Sequence, residues 1–280
     1  MAHKSLFDKV CFETSKYTTK QYSTSFSSAI RLLNNRFHEP IYNIYGFVRF
    51  ADEIVDSFHD YDKSILLARF KEDTYLAIEQ KISLNPILNS FQKTVHEYNI
   101  HQELIDTFLK SMEMDLNKKE YTKEEYDEYI LGSAEVVGLM CLKVFVERDE
   151  VLYNELKPSA MRLGSAFQKI NFLRDLREDS LELNRVYFPG IDITQFDAHT
   201  KATIEADIEA DFKAGYEGIL KLPKSARFGV YLAYIYYTQL FKKIKKVDPA
   251  KVMSERIRVP DSEKLLLVFN SYVRHNLNLL

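Results

Sequence analysis

Tryptophan is absent from this chain of 280 residues, and cysteine occurs only at Cys11 and Cys141. Two cysteines without metal-ligand spacing make neither a disulfide framework nor a zinc site, so a reducing cytoplasm is the expected setting. Eight glycines and seven prolines amount to less than half of the roughly 12% that these residues usually share. So few turn-formers argue against a strand-and-turn architecture and for long helices with short connections. The net charge is −3, with acids and bases interspersed, so no basic footprint for nucleic acid is present. No run approaches the ~18 apolar residues of a membrane span. The N-terminal segment 1–9 lacks the apolar centre of a signal peptide. The expectation is a cytoplasmic protein, with peripheral attachment to the inner face of the membrane as the alternative.

What is present is a hydrophobic content of 46%, with 18 tyrosines and 19 phenylalanines. That supplies a sizeable core, and enough aromatic surface to line a pocket for a long apolar or cationic ligand. Helix-start signals recur along the chain. Pro40 sits at a first helical position, followed by Ile41, Ile44, Tyr45, Val48, Ala51 and Val55 at helical spacing. Asn85-Pro86 reads as a cap and first turn. Thr122 to Glu125 reads as a capping box opening a helix to about Val146. Pro158 opens a long helix to about Leu183, Pro223 precedes one over about 225–246, and Pro260 starts a last one over about 262–277. Residues 184–200 are the longest irregular stretch and read as a loop near the mouth of whatever the helices enclose. The fold class this predicts is all-α, a single domain over 1–280 with ten or more helices.

Two acidic pairs stand out. Asp52 and Asp56, and again Asp175 and Asp179, are four residues apart and share one helix face. Like charges at that spacing cost an isolated helix a few tenths of a kcal/mol. Each pair extends a polar stripe at helical period: Tyr45, Arg49, Asp52, Asp56 and Gln168, Asn171, Asp175, Asp179. One such pair is usually a solvated surface, and Arg49 beside Asp52 is then an ordinary salt bridge worth less than about 1 kcal/mol. Two matched stripes facing each other would instead form a cage of hard oxygen ligands suited to Mg²⁺ and the phosphates of a substrate. Mg²⁺ neutralises a diphosphate as it leaves, and Arg49 can grip phosphate oxygens in a bidentate manner. A dry aromatic cavity would protect the resulting carbocation.

Several segments occur together in a familiar order. They are Tyr22 to Phe26 with Arg31-Leu32-Leu33, Tyr45 through Asp56, Tyr129 through Met140, Gln168 through Asp179 with Arg185 to Pro189, and Arg256 to Pro260 followed by Lys264-Leu265. By these segments the chain resembles the squalene/phytoene synthase family over nearly its whole length. The C-terminal segment is similar to bacterial phytoene synthases in particular.

The resemblance implies an all-α isoprenoid synthase fold around a central cavity. It also implies head-to-head condensation of two prenyl diphosphates through a cyclopropylcarbinyl diphosphate. It assigns Asp52, Asp56, Asn171, Asp175 and Asp179 to Mg²⁺, with Mn²⁺ as a substitute, and Ser23, Tyr45, Arg49, Gln168 and Arg256 to the diphosphates. It places Tyr129 and Tyr237 near the reacting centre or its phosphate, with Tyr234 and Tyr236 as neighbours of uncertain register. Phe26 and Ile30 face the cavity and help set chain length. Two geranylgeranyl diphosphates giving phytoene is the favoured reaction. Two farnesyl diphosphates giving squalene or dehydrosqualene is the alternative, with NADPH required only for squalene.

Glu53, Glu135 and Asn184 depart from the family pattern, which usually has Asp, Gly and Gly there. A non-catalytic assembly factor of the same fold would be expected to have eroded acidic pairs, and these are intact. The lysine-rich run Lys242 to Lys246 reads as a solvated helix end, or as a contact that collects lipid substrates at a membrane. The chain is expected to act as a monomer or homodimer.

Overall fold

The computed structural model describes residues 2–117, 120–181, 185–191, 196–260 and 263. Apart from one isolated bridge between Glu120 and Val186, these residues contain no β-structure. The protein is all-α, as the scarcity of turn-formers predicts. In chain order the helices are α1 (Ala2–Tyr22), α2 (Thr24–Ile30), α3 (His38–Ser57), α4 (Lys63–Gln80), α5 (Pro86–Tyr98) and α6 (Gln102–Asn117). Then come α7 (Lys123–Ile130), α8 (Val136–Phe145), α9 (Glu150–Leu181), α10 (Ala198–Lys221), α11 (Lys224–Lys245) and the short α12 (Pro249–Val252). None of the described helices is long and apolar enough to cross a membrane.

Local chemistry explains several starts. Asn85 accepts from the N–H groups of Ile87 (3.0 Å) and Leu88 (3.4 Å), with Pro86 in the first turn of α5. Thr122 and Glu125 satisfy each other's backbone donors in a full capping box at α7, a device worth about 1 kcal/mol. Pro223 occupies the N-cap position of α11.

Other expectations shift. Pro40 is the third residue of α3, not the first; its missing N–H costs nothing there, because the first four helical N–H groups have no partner within the helix. Pro158 does not open α9 but lies inside it. The start is set by Asp149, whose Oδ1 accepts from Leu152 N–H at 2.9 Å. The proline costs about 3 kcal/mol in a helix interior, offset by the burial of Tyr153 and Leu156 in the preceding turns. The helix expected from Lys123 to Val146 is interrupted by a π-turn over Leu131–Glu135. A Cβ on Gly132 would lie 2.6 Å from the Thr107 carbonyl oxygen and 2.5 Å from Ser111 Cβ. The widened turn therefore presses against α6 at a place only glycine can occupy. Residues 198–200, expected in a loop, begin α10. The expected last helix over about 262–277 lies outside the described residues apart from Glu263, as do Lys264, Leu265 and Asn184.

The core has two centres. In the first, α3 buries Ile44, Phe47, Ala51 and Val55. The Phe47 ring stacks on Phe91 of α5 at 3.9 Å and lies 5.3 Å from Phe108 of α6. In the second, α9 buries Ala166, Ile170 and Leu173 among residues of α10 and α11. Burying a side chain of this size contributes roughly 1.5–3 kcal/mol. With these faces committed to packing, the polar stripes of α3 and α9 are left to border the space between the two centres.

Candidate active site

The stripe on α3 brings Arg49 against both Asp52 and Glu53 through its two terminal nitrogens. Its guanidinium also lies 4.3 Å from the centre of the Tyr22 ring. Its Nε is buried and has no hydrogen-bond partner among the described residues. Burial and then the charge of Asp56 push the Asp52 carboxyl up to about 7, against the pull of Arg49. Glu53 moves the other way. Against the penalty of burial, hydrogen bonds from Ser57 and Arg49 hold it below the usual range. Asp56 pairs with Arg185 Nη1 at 2.7 Å.

The stripe on α9 answers it. Asp175 is gripped by both Arg174, with Nε to Oδ1 at 2.9 Å, and Arg256, with Nε at 3.0 Å. Arg256 also reaches Glu178 at 2.8 Å. Burial, followed by the charges of Asp175 and Asp56, pushes the Asp179 carboxyl up to about 8. That dependence on Asp56 means the two acidic pairs feel each other across the cleft. Asn171 donates to Gln168 Oε1 at 3.3 Å and accepts from the Tyr237 hydroxyl at 3.4 Å. Tyr237 of α11 thus reaches the polar stripe. Tyr234 packs edge-on against Phe212 instead, and Tyr236 lies edge-on to Tyr237.

Below the polar cleft lies an apolar cavity of about 250 Å³. Phe26 and Ile30 of α2 line it, as do Val137 and Cys141 of α8 and Phe167 and Gln168 of α9. Gln168 therefore belongs to both the cavity and the polar stripe. Aromatic contacts join the two zones: Phe26 stacks on Tyr45 at 5.1 Å, and Phe167 on Tyr237 at 4.1 Å. Burial pushes the Tyr45 hydroxyl up to about 12, with Ser23 within its reach. Ser23 also caps α2 by accepting from Phe26 N–H at 3.2 Å.

Tyr129 does not border this cavity. Its hydroxyl donates to Asp115 Oδ2 at 2.6 Å within a buried cluster containing Tyr121, Tyr187 and Phe172. Burial, then the adjacent Asp115, raises that phenol well above its usual range. Glu135 also faces away from the cavity, into a groove with Lys123 and Arg162, and accepts from Ser165. Of the lysine run, Lys243 pairs with Glu263 and Lys245 with Glu209.

Asp115 was not singled out from the sequence, and Arg174 and Arg185 stood in the resembling segments without an assigned role. For Asp115 a signal existed: it continues the buried face of α6 through Phe108 and Met112, a carboxylate on an apolar stripe. Arg185 follows α9 in an irregular segment and offers no periodicity to read. Among the described residues, no group of three or more carboxylate, histidine or cysteine side chains stands ready as a metal cage. Each of Asp52, Asp56 and Asp175 is turned toward an arginine.

The profile described as squalene/phytoene synthase matches residues 19–263. A phytoene synthase from Arthrospira platensis is 24% identical over 91% of this chain and 90% of its own. A presqualene diphosphate synthase from Rhodopseudomonas palustris is 28% identical over 60% of this chain and 58% of its own. The crystal structure of a dehydrosqualene synthase in complex with ligand superposes with a TM-score of 0.81 at 20% identity, covering 96% of this chain and 98% of that one.

Proposed function

Because the chain belongs to the squalene/phytoene synthase family of prenyltransferases, we propose that it joins two geranylgeranyl diphosphates head to head, through prephytoene diphosphate, to phytoene. The observation that carries the reading is the pair of acidic stripes bordering an apolar cavity, with Gln168 common to both. The phytoene synthase likeness over nine tenths of the chain supports the longer substrate. The likeness to a dehydrosqualene synthase supports the second reading, condensation of two farnesyl diphosphates.

The residues present fit a divalent cation bound with diphosphate. The acids of α3 and α9 act on one another, Asp56 on Asp179, and burial with these charges pushes Asp52 and Asp179 up to about 7 and about 8. Burial outweighs the pull of the resident arginines at these two acids, so a bound divalent cation would supply the positive charge that their ionised forms lack. Asp52, Asp56, Asn171, Asp175 and Asp179 would hold Mg²⁺. When bound, Mg²⁺ supplies Lewis-acid stabilisation of the departing diphosphate. Arg49 offers its unpartnered Nε–H to a phosphate oxygen, and Tyr45, Ser23, Gln168 and Arg256 surround the same region. The apolar cavity takes the prenyl chains and excludes water from the carbocation. Phe26 and Phe167 give that cation aromatic faces.

Incubation with Mg²⁺ and geranylgeranyl or farnesyl diphosphate, with and without NADPH, tests the reading by identifying the hydrocarbon. Phytoene is expected from the longer substrate. Preferential C30 product establishes the farnesyl reading instead. Asp52→Asn and Asp175→Asn are each expected to lower diphosphate release by at least about a hundredfold, as loss of a key electrostatic group does. Near-normal turnover in both variants would remove the acidic pairs from the mechanism.

A further inference from the structure

Asp115 is a buried carboxylate with no part in the reaction as proposed, yet three tyrosine hydroxyls bond it. Its side chain is 2% exposed. It accepts from Tyr129 (2.6 Å), Tyr121 (2.9 Å) and Tyr187 (3.3 Å), and Arg185 Nη1 lies 3.7 Å from Oδ2. A buried charge requires such partners, so this alone is ordinary core chemistry. The route out of the cluster is not. Arg185 Nη2 donates to the carbonyls of Asp115 (2.9 Å) and Val55 (3.1 Å). Its Nη1 donates to Asp56 Oδ1 at 2.7 Å and to the Tyr187 hydroxyl at 3.2 Å. Its backbone N–H donates to the carbonyl of Asp179 at 2.9 Å.

One arginine therefore touches the acidic end of α3 and the acidic end of α9, and an aspartate on a third helix, α6, holds it in place. The bonds of Arg185 beyond its buried anchor end at Val55, Asp56 and Asp179, the sites of the acidic pairs.

We propose that Asp115 and Arg185 are positioning residues that fix the separation of the two acidic pairs, and through it the affinity of the cleft for magnesium and diphosphate. Resting on the reading of the cleft as a diphosphate site, this adds to that reading a device that sets its geometry. Asp115 acts through Arg185, and Arg185 acts through Asp56 and the backbone at Val55 and Asp179. Neither bonds the substrate. A guanidinium suits the task because its planar fork serves several acceptors at once, which an ammonium cannot do.

The test is calorimetric titration of the full chain with Mg²⁺ and inorganic diphosphate, alongside thermal unfolding. Asp115→Asn and Arg185→Lys are each expected to weaken binding about tenfold. The control is Asp211→Asn, which breaks a buried pair with Lys169 (2.7 Å) and Arg162 (3.1 Å) elsewhere in the molecule. It should lower the unfolding temperature and leave affinity unchanged. A loss of threefold or more in the two variants, exceeding the control, supports the proposal. A smaller loss overturns it and leaves Asp115 as core structure. If Asp115→Asn fails to fold, Arg185→Lys decides by the same threshold. Failure of the unsubstituted protein to bind Mg²⁺ and diphosphate overturns the diphosphate reading itself, a result distinct from tight binding that the variants leave unchanged.

Discussion

Arg49 shows how much one side chain settles in this cleft. Two of its nitrogens are spent on Asp52 and Glu53, its face lies against Tyr22, and Nε has no partner among the described residues. A lysine keeps the charge but has no fork. Arg49→Lys is expected to fold normally and lose about 10–100-fold in kcat/KM, tenfold corresponding to about 1.4 kcal/mol. Steady-state assay of diphosphate release checks this, and activity within twofold would show that the free Nε–H is not used. Cys141 illustrates the opposite case, a reactive group made inert. It lines the cavity, and burial alone pushes its thiol up to about 12. At pH 8 only about one part in ten thousand is thiolate, and thiolate is the nucleophile. Iodoacetamide should therefore leave Cys141 unmodified in the folded protein on a timescale that alkylates a free thiol, as read by mass spectrometry. Rapid modification would mean that the cavity admits water freely.

At the scale of elements, α2 is the short piece with leverage on the product. Phe26 and Ile30 are one turn apart on it, both line the cavity, and Phe26 stacks on Tyr45. Phe26→Ala should lengthen the prenyl chain accepted and Ile30→Phe should shorten it. Competition between farnesyl and geranylgeranyl diphosphates measures both, and an unchanged C30 to C40 ratio in the two variants would place the length limit elsewhere. The face of α2 was readable from spacing because i and i+4 side chains share a direction in any helix. Asn85 and Thr122 were readable because a cap is decided within four residues. The π-turn over 131–135 was not, since it depends on Gly132 meeting Thr107 and Ser111 of α6. Pro158 misled because its local cost is offset by the packing of Tyr153 and Leu156. Asp115 carried a local signal on the buried face of α6, but its pairing with Arg185 was hidden because their hydrogen bond spans 70 residues, and no local pattern announces such a pair.

For the whole molecule, folding buries carboxylates of α3 and α9 near enough for the Asp56 charge to act on Asp179. The consequence is a dependence of stability on pH with a definite sign. Asp52 and Asp179 are pushed up to about 7 and about 8, from about 3.9 in an unfolded chain. Above pH 4 the unfolded chain has released these protons while the folded one retains them. Their contribution to stability is full below about pH 4 and is lost as pH rises through 7 to 8. The metal-free protein should therefore lose thermal stability between pH 5.5 and 8.5, and the loss should shrink in Asp179→Asn. Mg²⁺ competes with those protons, so its stabilising effect should be larger at pH 8.5 than at pH 5.5. At a hundred times its dissociation constant a ligand contributes about 2.7 kcal/mol, which for a chain of this size is roughly 5 °C. Thermal unfolding in EDTA and in Mg²⁺ at both pH values makes the comparison. Equal Mg²⁺ shifts at the two pH values would mean that the acidic pairs are ionised before the metal arrives.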